Sequence, residues 1–183
     1  MSLKGLMLIA DGFEDTEALA TFDVLERGGI LMVTATPNHD LDVISSHQIL
    51  VRAQIHFNDI FPEDYDFLVI PGGPGVENLN KLSKVNDIID VFVSNGKLVA
   101  AICAAPSLVG KLGYYKNHEY TCFPGTEIKI TEGKHINKPI VRSGKFITAK
   151  SMFYSLDFGL EIISYLLGDE QKNKTLKKMK GEV

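Results

Sequence analysis

Short apolar runs alternate along this chain with longer segments of helical period. The runs fall at residues 3–10, 30–36, 67–70 and 97–102. Apolar strands without interleaved polar residues are typical of parallel sheets that are covered on both faces. The alternation therefore predicts a three-layer α/β sandwich, in which helices cover both faces of a mostly parallel central sheet.

The first helix is predicted directly after the first strand. Asp11 has the character of an N-cap and Glu14 that of its capping-box partner, so the helix is expected to run from there to about Arg27. The glycine pair at residues 28–29 would end this helix, because glycine readily adopts the conformations that follow a helix.

Further helices are predicted at residues 85–94 and 103–112, and the C-terminal part is expected to be helical as well. Residues 153–167 form an amphipathic segment in which five apolar side chains share one face. These are Phe153, Leu156, Leu160, Ile163 and Leu167. Beyond Gly168 the chain is rich in lysine, which indicates a solvated terminal helix.

Other β segments are predicted outside the long apolar runs. Residues 43–55 contain two β-rich pieces around Ser45-Ser46-His47, which should form a hairpin beside the main sheet. Residues 140–148 are expected to form a hairpin that turns at Ser143-Gly144. A short strand is expected at residues 119–123.

Composition narrows the classes of function. The 183 residues, expected to form one domain over 1–183, carry a net charge of −4 and so lack the broad basic field of nucleic-acid-binding proteins. The longest stretch without a charged side chain, residues 98–110, is shorter than the roughly 20 apolar residues that span a bilayer. Lys4 and Asp11 interrupt the first apolar stretch, so no secretory signal is expected. We predict a cytoplasmic protein with two reduced cysteines and with neither nucleic acid nor membrane as a partner.

Residues suited to chemistry follow three of the predicted strands. In sheets of this kind, ligands bind at the carboxyl ends of the strands. The three segments at those ends are residues 11–17, the glycine-rich loop at 72–75, and Cys103. They are the candidate functional residues of the chain.

Cys103 carries the sharpest signal. An apolar strand leads into it, a helix is predicted directly after it, and alanine stands two residues before and two residues after. A nucleophile elbow needs such small neighbours, because bulky ones would block its strained turn. A thiol at a helix N-terminus is expected to have a lowered pKa, since the dipole and free amides favour the thiolate. The alternative is a buried structural cysteine that acts as a small apolar residue.

The glycine loop at residues 72–75 partly matches a dinucleotide-binding motif, but Asn78 stands where a glycine or alanine belongs. No acidic residue follows about 20 positions later to hold a ribose, so dinucleotide binding is excluded. The better functional interpretation is an oxyanion hole formed by the backbone amides of Gly73 and Ala104. The loop would also serve as a tight strand-to-helix turn.

Three carboxylates, Glu14, Asp15 and Glu17, crowd the start of the first helix. Glu14 and Asp15 are expected to interact favourably with the helix dipole. Glu17 lies further along the helix and could face the strand ends. There its carboxyl could share a proton with the Cys103 thiolate.

The histidines provide no clear catalytic base, and most of them are expected in surface loops. His118 and Cys122 suggest a metal-binding pair, but four residues of strand would separate them by over roughly 13 Å. No metal site is therefore predicted.

Together these segments resemble the ThiJ/PfpI superfamily, and most closely its branch around the Parkinson-disease-associated DJ-one protein. The resemblance extends over residues 4–168 and includes the helix end at 27–30 and the segment at 155–160. Its main motifs are IADGFEDTE at 9–17, FLVIPGG at 67–73 and AICAAP at 101–106. It implies a flavodoxin-like sandwich, a homodimer and no cofactor.

The resemblance also implies roles for single residues. Cys103 would be the reactive nucleophile, and Glu17 the protonated carboxyl that hydrogen-bonds to its thiolate. Gly73 and Ala104 would supply backbone amides at the oxyanion position. Three further residues, among them an arginine near the dimer interface, would lie beside a bound anion or substrate: Arg27, His47 and Gly72.

One position departs from the family pattern. Members with a clear catalytic triad place a histidine where this chain has Phe123. Without that acid an amine leaving group is not protonated, so a peptidase or amidase ranks last. The leading hypothesis is an enzyme of the glyoxalase III or deglycase type that acts on reactive dicarbonyls such as methylglyoxal. The alternative is protection against oxidative stress, with a small oxidant as the partner of Cys103.

Overall fold

The computed structural model describes residues 3–182, so residues 1, 2 and 183 of the predicted domain lie outside the described part. In chain order, the strands are β1 (Lys4–Leu8), β2 (Leu31–Thr36), β3 (Asp42–Ile44), β4 (Leu50–Arg52), β5 (Ile55–His56), β6 (Phe67–Ile70), β7 (Leu98–Ile102), β8 (Glu119–Tyr120), β9 (Lys134–His135), β10 (Ile140–Ser143) and β11 (Phe146–Ala149). The α-helices are α1 (Asp15–Arg27), α2 (Gly75–Asn80), α3 (Ser83–Ser94), α4 (Pro106–Gly110), α5 (Ser155–Leu167) and α6 (Asp169–Met179).

Seven strands form one sheet in the order β10-β11-β7-β6-β1-β2-β5. Neighbours run parallel except at one edge, where β10 pairs antiparallel with β11. The predicted flavodoxin-like α/β arrangement is therefore confirmed. The hairpin predicted beside the sheet is also present, as β3 paired with β4, while β8 and β9 form a separate parallel pair.

Side chains of the central strands point alternately into two apolar layers. In β1, Leu6 and Leu8 belong to one layer and Met7 to the other, because successive strand residues point to opposite faces. The first layer includes side chains of α2, α3 and α4, and the second includes those of α1 and α5. Both faces of the sheet are thus covered, which explains why its central strands β6 and β7 are continuous apolar runs in the sequence.

The first helix begins later than predicted. Glu14, rather than Asp11, is its N-cap, and the Glu14 carboxylate accepts a hydrogen bond from the backbone N–H of Glu17 at 2.7 Å. The Asp11 carboxylate instead accepts a hydrogen bond from the backbone N–H of Ile44 in β3, at 2.9 Å. The Asp11 side chain, which the local pattern assigned to the helix N-terminus, therefore bonds to a distant strand instead.

The apolar face predicted for α5 is partly wrong. The helix begins at Ser155, so Phe153 lies in the preceding turn and is exposed, as are Leu156 and Leu167. Because α5 packs on both α1 and the sheet, its buried surface is centred on the middle of the helix. The buried side chains there are Phe158, Leu160, Ile162 and Ile163.

Three other predicted elements differ in length or position. The helix after Cys103 is the five-residue α4, which starts only at Pro106. The strand expected at residues 119–123 is the two-residue β8. The β10–β11 hairpin turns one residue later than predicted, at Gly144-Lys145, because Ser143 still pairs with Phe146.

The terminal helix predicted from the lysine-rich segment is confirmed as α6. Thr175 is its one buried residue. Acidic side chains stand in its first turn and lysines in its last, an order that favours the helix dipole. None of the helices in residues 3–182 is both long enough and apolar enough to cross a membrane.

Candidate active site

Cys103 lies in a strained turn at the carboxyl end of β7. Its φ of +65° is in the left-handed region, which costs a residue with a Cβ roughly 1–3 kcal/mol. The Cys103 N–H donates to the carbonyl of Ala149 at 2.9 Å, and the Cys103 carbonyl accepts from the N–H of Phe123 at 2.8 Å. The predicted elbow is therefore present, held from both sides by backbone hydrogen bonds.

Glu17, from the first turn of α1, is completely buried beside this thiol. Its Oε2 accepts a hydrogen bond from the N–H of Gly72 at 2.7 Å, whereas Oε1 has no conventional hydrogen-bond partner among the described residues. Burial raises the pKa of Glu17 to about 7, against hydrogen bonds from Cys103 and Gly72 that lower it. A carboxyl that is half protonated near neutral pH is well suited to proton exchange.

The pKa of the Cys103 thiol is raised, first by burial and then by the negative charge of Glu17. The amides of Ala104 and Gly73 donate to the sulfur and act in the opposite direction. The predicted lowering of the thiol pKa is therefore wrong, because burial and the Glu17 charge outweigh the two amide hydrogen bonds. The helix α4 begins only at Pro106. Once Glu17 is protonated its charge no longer opposes the thiolate, so Cys103 and Glu17 titrate as a coupled pair.

Two glycines bring the loop after β6 into contact with this pair. A Cβ on Gly72 would lie 2.6 Å from Glu17 Oε2 and 2.7 Å from the Cys103 Cβ. Gly73 has a φ of +88°, and a Cβ there would lie 2.6 Å from the backbone nitrogen of Glu14. Larger residues would push the loop away, and its two amides would then no longer reach the carboxylate and the sulfur.

A pocket of ≈ 320 Å³ opens beside Cys103. Its other lining residues are Gly73, Pro74, Val76, Glu77, Ala104 and Phe123. This volume is at the lower end of the range for small-molecule sites, and the lining includes no lysine, arginine or histidine. The pocket therefore suits a small uncharged molecule better than an anion. A larger pocket, of ≈ 480 Å³, lies near His39 and His56 but contains neither a cysteine nor a buried carboxylate.

The structure does not bring Arg27 or His47 into this pocket. Arg27 lies ten residues beyond Glu17 on α1, roughly 15 Å along the helix axis, and pairs with Asp23 at 2.6 Å. His47 lies in the β3–β4 hairpin, where its Nδ1 is 2.5 Å from Asp15 Oδ2. An anion site formed by Arg27 and His47 is therefore not present within one chain, and their role in the site stays a prediction.

Asp15 has partners that the sequence did not indicate. Burial favours its protonated form, but hydrogen bonds from Ser45, His47 and Ser46 lower its pKa to about 2. The hydrogen bond from His47, with the charge of Asp15, raises the pKa of His47 in turn. These hydrogen bonds hold the turn of the β3–β4 hairpin against the start of α1.

One wall of the pocket carries an ion pair that no sequence motif marks. Glu77 of α2 accepts a hydrogen bond from Lys129 at 2.5 Å, and this contact lowers the pKa of Glu77. Phe123, an apolar residue that also lines the pocket, is half exposed at 48%. His118, the histidine nearest to it in the sequence, contacts Ser143 and Phe146 instead of the pocket.

Comparisons with known proteins agree with this arrangement. Residues 4–165 match the family described as the DJ-1/PfpI family. The chain is 33% identical over 168 residues, or 91% of its length, to Protein DJ-1 homolog B of Arabidopsis thaliana, and spans 38% of that longer protein. It is 29% identical over 174 residues to the Caenorhabditis elegans protein named glutathione-independent glyoxalase DJR-1.2, covering 94% of this chain and 92% of the relative.

A solved structure gives the same result. The crystal structure of Drosophila melanogaster DJ-1beta matches with a TM-score of 0.92 at 29% sequence identity, over 98% of both chains. The sheet, the cysteine elbow and the Pro-Gly-Gly loop thus occur in a chain whose whole fold is similar to that of a known DJ-1 protein. The chain belongs to the DJ-1/PfpI family.

Proposed function

We propose that the protein converts small reactive dicarbonyls such as methylglyoxal to hydroxy acids, with Cys103 as nucleophile and Glu17 as proton carrier. The observation that carries this proposal is the coupled pair, a thiol on a strained turn against a buried carboxyl of pKa about 7. A relative of similar length is named a glyoxalase that does not depend on glutathione. In such a reaction the protein's own thiol takes the place of the glutathione thiol.

The first step joins the substrate to the protein. With a proton on Glu17, the Cys103 thiolate adds to the aldehyde carbon, and the electron pair of the carbonyl bond moves to its oxygen. Glu17 supplies the proton to that oxygen, which gives a neutral hemithioacetal and leaves Glu17 as a carboxylate. The amides of Gly73 and Ala104 favour the negative charge while it is on sulfur.

The second step moves a proton between the two substrate carbons. The Glu17 carboxylate removes the proton from the former aldehyde carbon, and that proton passes to the oxygen of the neighbouring carbonyl, which gives an enediol. The neighbouring carbon then takes up a proton, while the hydroxyl on the former aldehyde carbon loses one and becomes a carbonyl. The product is a thioester of lactate on Cys103, and water hydrolyses it to lactate and the free thiol. The net reaction converts methylglyoxal and one water to lactate. The aldehyde carbon is oxidised and the neighbouring ketone carbon is reduced, so the reaction needs no external oxidant or reductant.

The pocket supports this class of substrate over a peptide or amide. Its ≈ 320 Å³ accommodate a three-carbon molecule, and the lining residues carry no cation that would select an anion. The wall formed by Phe123 has no proton to give to a leaving amine. The dicarbonyl reaction releases no amine and therefore needs no such acid.

Lactate formation from methylglyoxal tests the proposal. The wild type is expected to turn over within the common range of about 1–10³ s⁻¹. Cys103→Ser should lower kcat by at least about 10³-fold, and Glu17→Gln by roughly 10²–10⁴-fold. Cys122→Ser is the matched control and should keep the wild-type rate. A wild-type rate no higher than that of Cys103→Ser would reject the proposal.

A second candidate function is protection against oxidants, and the accessibility of the two thiols favours it. Cys103 is partly exposed whereas Cys122 is buried. Two molecules of hydrogen peroxide would each transfer one oxygen atom to the Cys103 sulfur and leave as water, which gives a sulfinic acid. Mass spectrometry should then find two added oxygens on Cys103 well before Cys122 is modified. Equal oxidation of both cysteines would count against this function, and release of amine from amide substrates would favour a hydrolase over both candidates.

We also propose a homodimer. Apolar side chains on α1 and the β3–β4 hairpin are exposed and would be covered by a second copy; these are Leu19, Ile44, Ile49 and Leu50. Sedimentation should give the mass of two chains, and Leu50→Glu should shift the protein toward one. A wild type that sediments as a single chain would contradict the dimer. The cytoplasmic location stays a prediction.

A further inference from the structure

A second cluster of reactive side chains lies outside the Cys103 pocket. Cys122 follows β8, Glu127 lies in the 3₁₀ helix Thr126–Lys129, and His135 ends β9. One sulfur, one carboxylate oxygen and one imidazole nitrogen from these residues lie within 4.8 Å of one another. We propose that Cys122, Glu127 and His135 bind a divalent transition-metal ion, for which Zn²⁺ is the best match.

The donor set favours zinc. Thiolate, imidazole and carboxylate are its usual protein ligands, and three protein ligands leave one position for water. Magnesium and calcium prefer oxygen donors and do not suit a sulfur and a nitrogen. Binding breaks the S–H bond of Cys122, forms a sulfur–metal bond and releases one proton to water. The thiolate and the Glu127 carboxylate together balance the two positive charges of the ion.

The distances require only a small adjustment. Metal–ligand bonds of about 2.0–2.3 Å at tetrahedral angles put the donor atoms roughly 3.5 Å apart. The Cys122 sulfur already lies 3.9 Å from Glu127 Oε2. His135 is exposed, so its ring can rotate and move the imidazole nitrogen by about an ångström without disturbing the core.

The backbone holds the three residues together before any ion binds. Tyr120 pairs with His135 in the β8–β9 ladder, and their rings lie 5.5 Å apart. The chain then turns at Gly125, whose φ is +89°, and the N–H of Thr126 donates to the carbonyl of Phe123 at 2.9 Å. This turn returns Glu127 to the Cys122 sulfur. The cluster therefore belongs to a defined loop and not to a chance approach of long side chains.

A buried hydroxyl beside the cluster gives independent support. Tyr115 is fully buried, its ring stacks on Tyr120 at 5.1 Å, and its hydroxyl has no hydrogen-bond partner in the described part of the chain. Tyr115, Tyr120 and Cys122 belong to the same apolar layer. An unpaired buried polar atom commonly marks a place where a water or an ion belongs. A water bound to the metal would be such a partner.

The proposed metal site adjoins the Cys103 pocket but does not depend on its chemistry. Phe123, which follows Cys122 directly, lines that pocket and donates its N–H to the carbonyl of Cys103. The inference goes beyond the proposed function, and its test needs no substrate.

Cobalt binding tests the site, because Co²⁺ replaces Zn²⁺ and gives a thiolate-to-metal absorption band. The measurement is made in a Cys103→Ser background, so that the other thiol cannot contribute. We expect one Co²⁺ per chain with a thiolate band that Zn²⁺ displaces. Cys122→Ser should abolish the band, and Glu127→Gln and His135→Ala should each weaken binding by about tenfold or more. Matched controls are Glu132→Gln and His39→Ala, which remove the same groups at exposed positions outside the cluster.

Thermal unfolding gives a second readout that does not depend on the buried Cys122→Ser variant. Zn²⁺ should raise the Tm of the Cys103→Ser protein, since an ion that binds only the folded state stabilises it. The same ion should shift the Tm of His135→Ala clearly less, while the shift in His39→Ala should equal that of the parent. Binding and Tm shifts that are unchanged by both Glu127→Gln and His135→Ala would overturn the proposal. So would the absence of a thiolate band in the parent.

Discussion

The two cysteines of this protein each lie beside a glutamate, yet the two pairs differ in the state of the carboxyl. Glu17 is completely buried beside Cys103, and burial raises its pKa to about 7. Glu127 is only partly buried beside Cys122, and amide hydrogen bonds from its own backbone and from Gly125 lower its pKa. The same two side-chain types therefore form a proton-sharing pair at one place and a thiol beside a fixed anion at the other.

The two carboxyls differ in protonation because they are buried to different extents, and the burial of the thiols does not cause this difference. Both thiols have a raised pKa, that of Cys122 to about 12, with burial as the first cause and the neighbouring glutamate as the second. At Cys103 a proton on Glu17 removes the second cause. At Cys122 the carboxylate stays charged at neutral pH, so a metal ion rather than a proton is the natural counterion. The two side chains also lie in opposite apolar layers of the sheet, which keeps the pairs separate.

The largest expected contrast is in alkylation. Iodoacetamide should modify Cys103 at least roughly a hundredfold faster than Cys122 at pH 7.5, because reaction at Cys122 requires an opening that costs about 3 kcal/mol. Single variants Cys103→Ser and Cys122→Ser, followed by mass spectrometry, give the two rates separately. Similar rates would mean that the loop around Cys122 opens freely and that the two thiols do not differ as described.

Between pH 4.5 and 7, stability should depend on pH through the Glu17 pair and not through the Glu127 pair. The pKa of Glu17 is raised from 4.5 to about 7, so the stabilisation it contributes is complete below pH 4.5 and is lost as the pH rises to about 7. The free energy of unfolding should fall by about 3 kcal/mol across this window. Glu17→Gln should remove most of that slope.

Glu127→Gln is the control for this experiment, measured with a chelator present. Because the pKa of Glu127 is lowered, its contribution is lost only as the pH falls below its ordinary value of 4.5. The slope between pH 4.5 and 7 should therefore match that of the wild type. Denaturant titrations at a series of pH values provide the data, and an equal slope in Glu17→Gln and wild type would show that Glu17 does not titrate in this range.

Replacing a glycine by alanine should destabilise the loop beside Cys103 more than the loop beside Cys122. In Gly72→Ala the new Cβ would collide with Glu17 and Cys103, so both stability and the alkylation rate of Cys103 should change, with a loss of about 1–3 kcal/mol in unfolding free energy. Gly125→Ala, in the Cys122 loop, meets no atom within 4 Å and should cost only the strain of its positive φ, about 1 kcal/mol. An unperturbed Gly72→Ala protein would mean that the loop after β6 is not held against the pair.

The smallest expected effect is a shift in the pH profile of Cys103 alkylation. In the wild type the pair loses its first proton from either group, with a midpoint near the value of about 7 for Glu17. Glutamine mimics the neutral carboxyl, so in Glu17→Gln the proton must leave the thiol alone. The midpoint should therefore move to higher pH, and the rate at pH 7 should fall. An unchanged midpoint would show that no proton is shared.

Much of the fold can be predicted from the residues because the relevant signals are local. The central strands β6 and β7 are uninterrupted apolar runs, since both of their faces are covered. The cysteine elbow is visible because its alanines stand close to it in the chain, and the Pro-Gly-Gly loop because glycine alone allows such close approach. These requirements act over a few neighbouring residues, so the sequence displays them directly.

Features that depend on distant partners could not be predicted in this way. Asp11 has the local character of an N-cap, but Ile44 of another strand takes its carboxylate and Glu14 replaces it. The buried face of α5 depends on how the helix lies between α1 and the sheet. Glu127 and His135 follow Cys122 at a spacing that matches no familiar metal motif; the turn at Gly125 returns Glu127 to Cys122, and the β8–β9 pairing brings His135 to the same place.

The protonation states show most clearly which properties follow from the sequence and which depend on the fold. The sequence identified Cys103 and Glu17 as chemical groups and placed them at the same edge of the sheet. It indicated a lowered thiol pKa, whereas the folded protein raises it, because burial and the Glu17 charge outweigh the donated amide hydrogen bonds. Residue types and their local order thus specify which groups meet, but their charges depend on the dielectric environment and the partners that the packed chain provides.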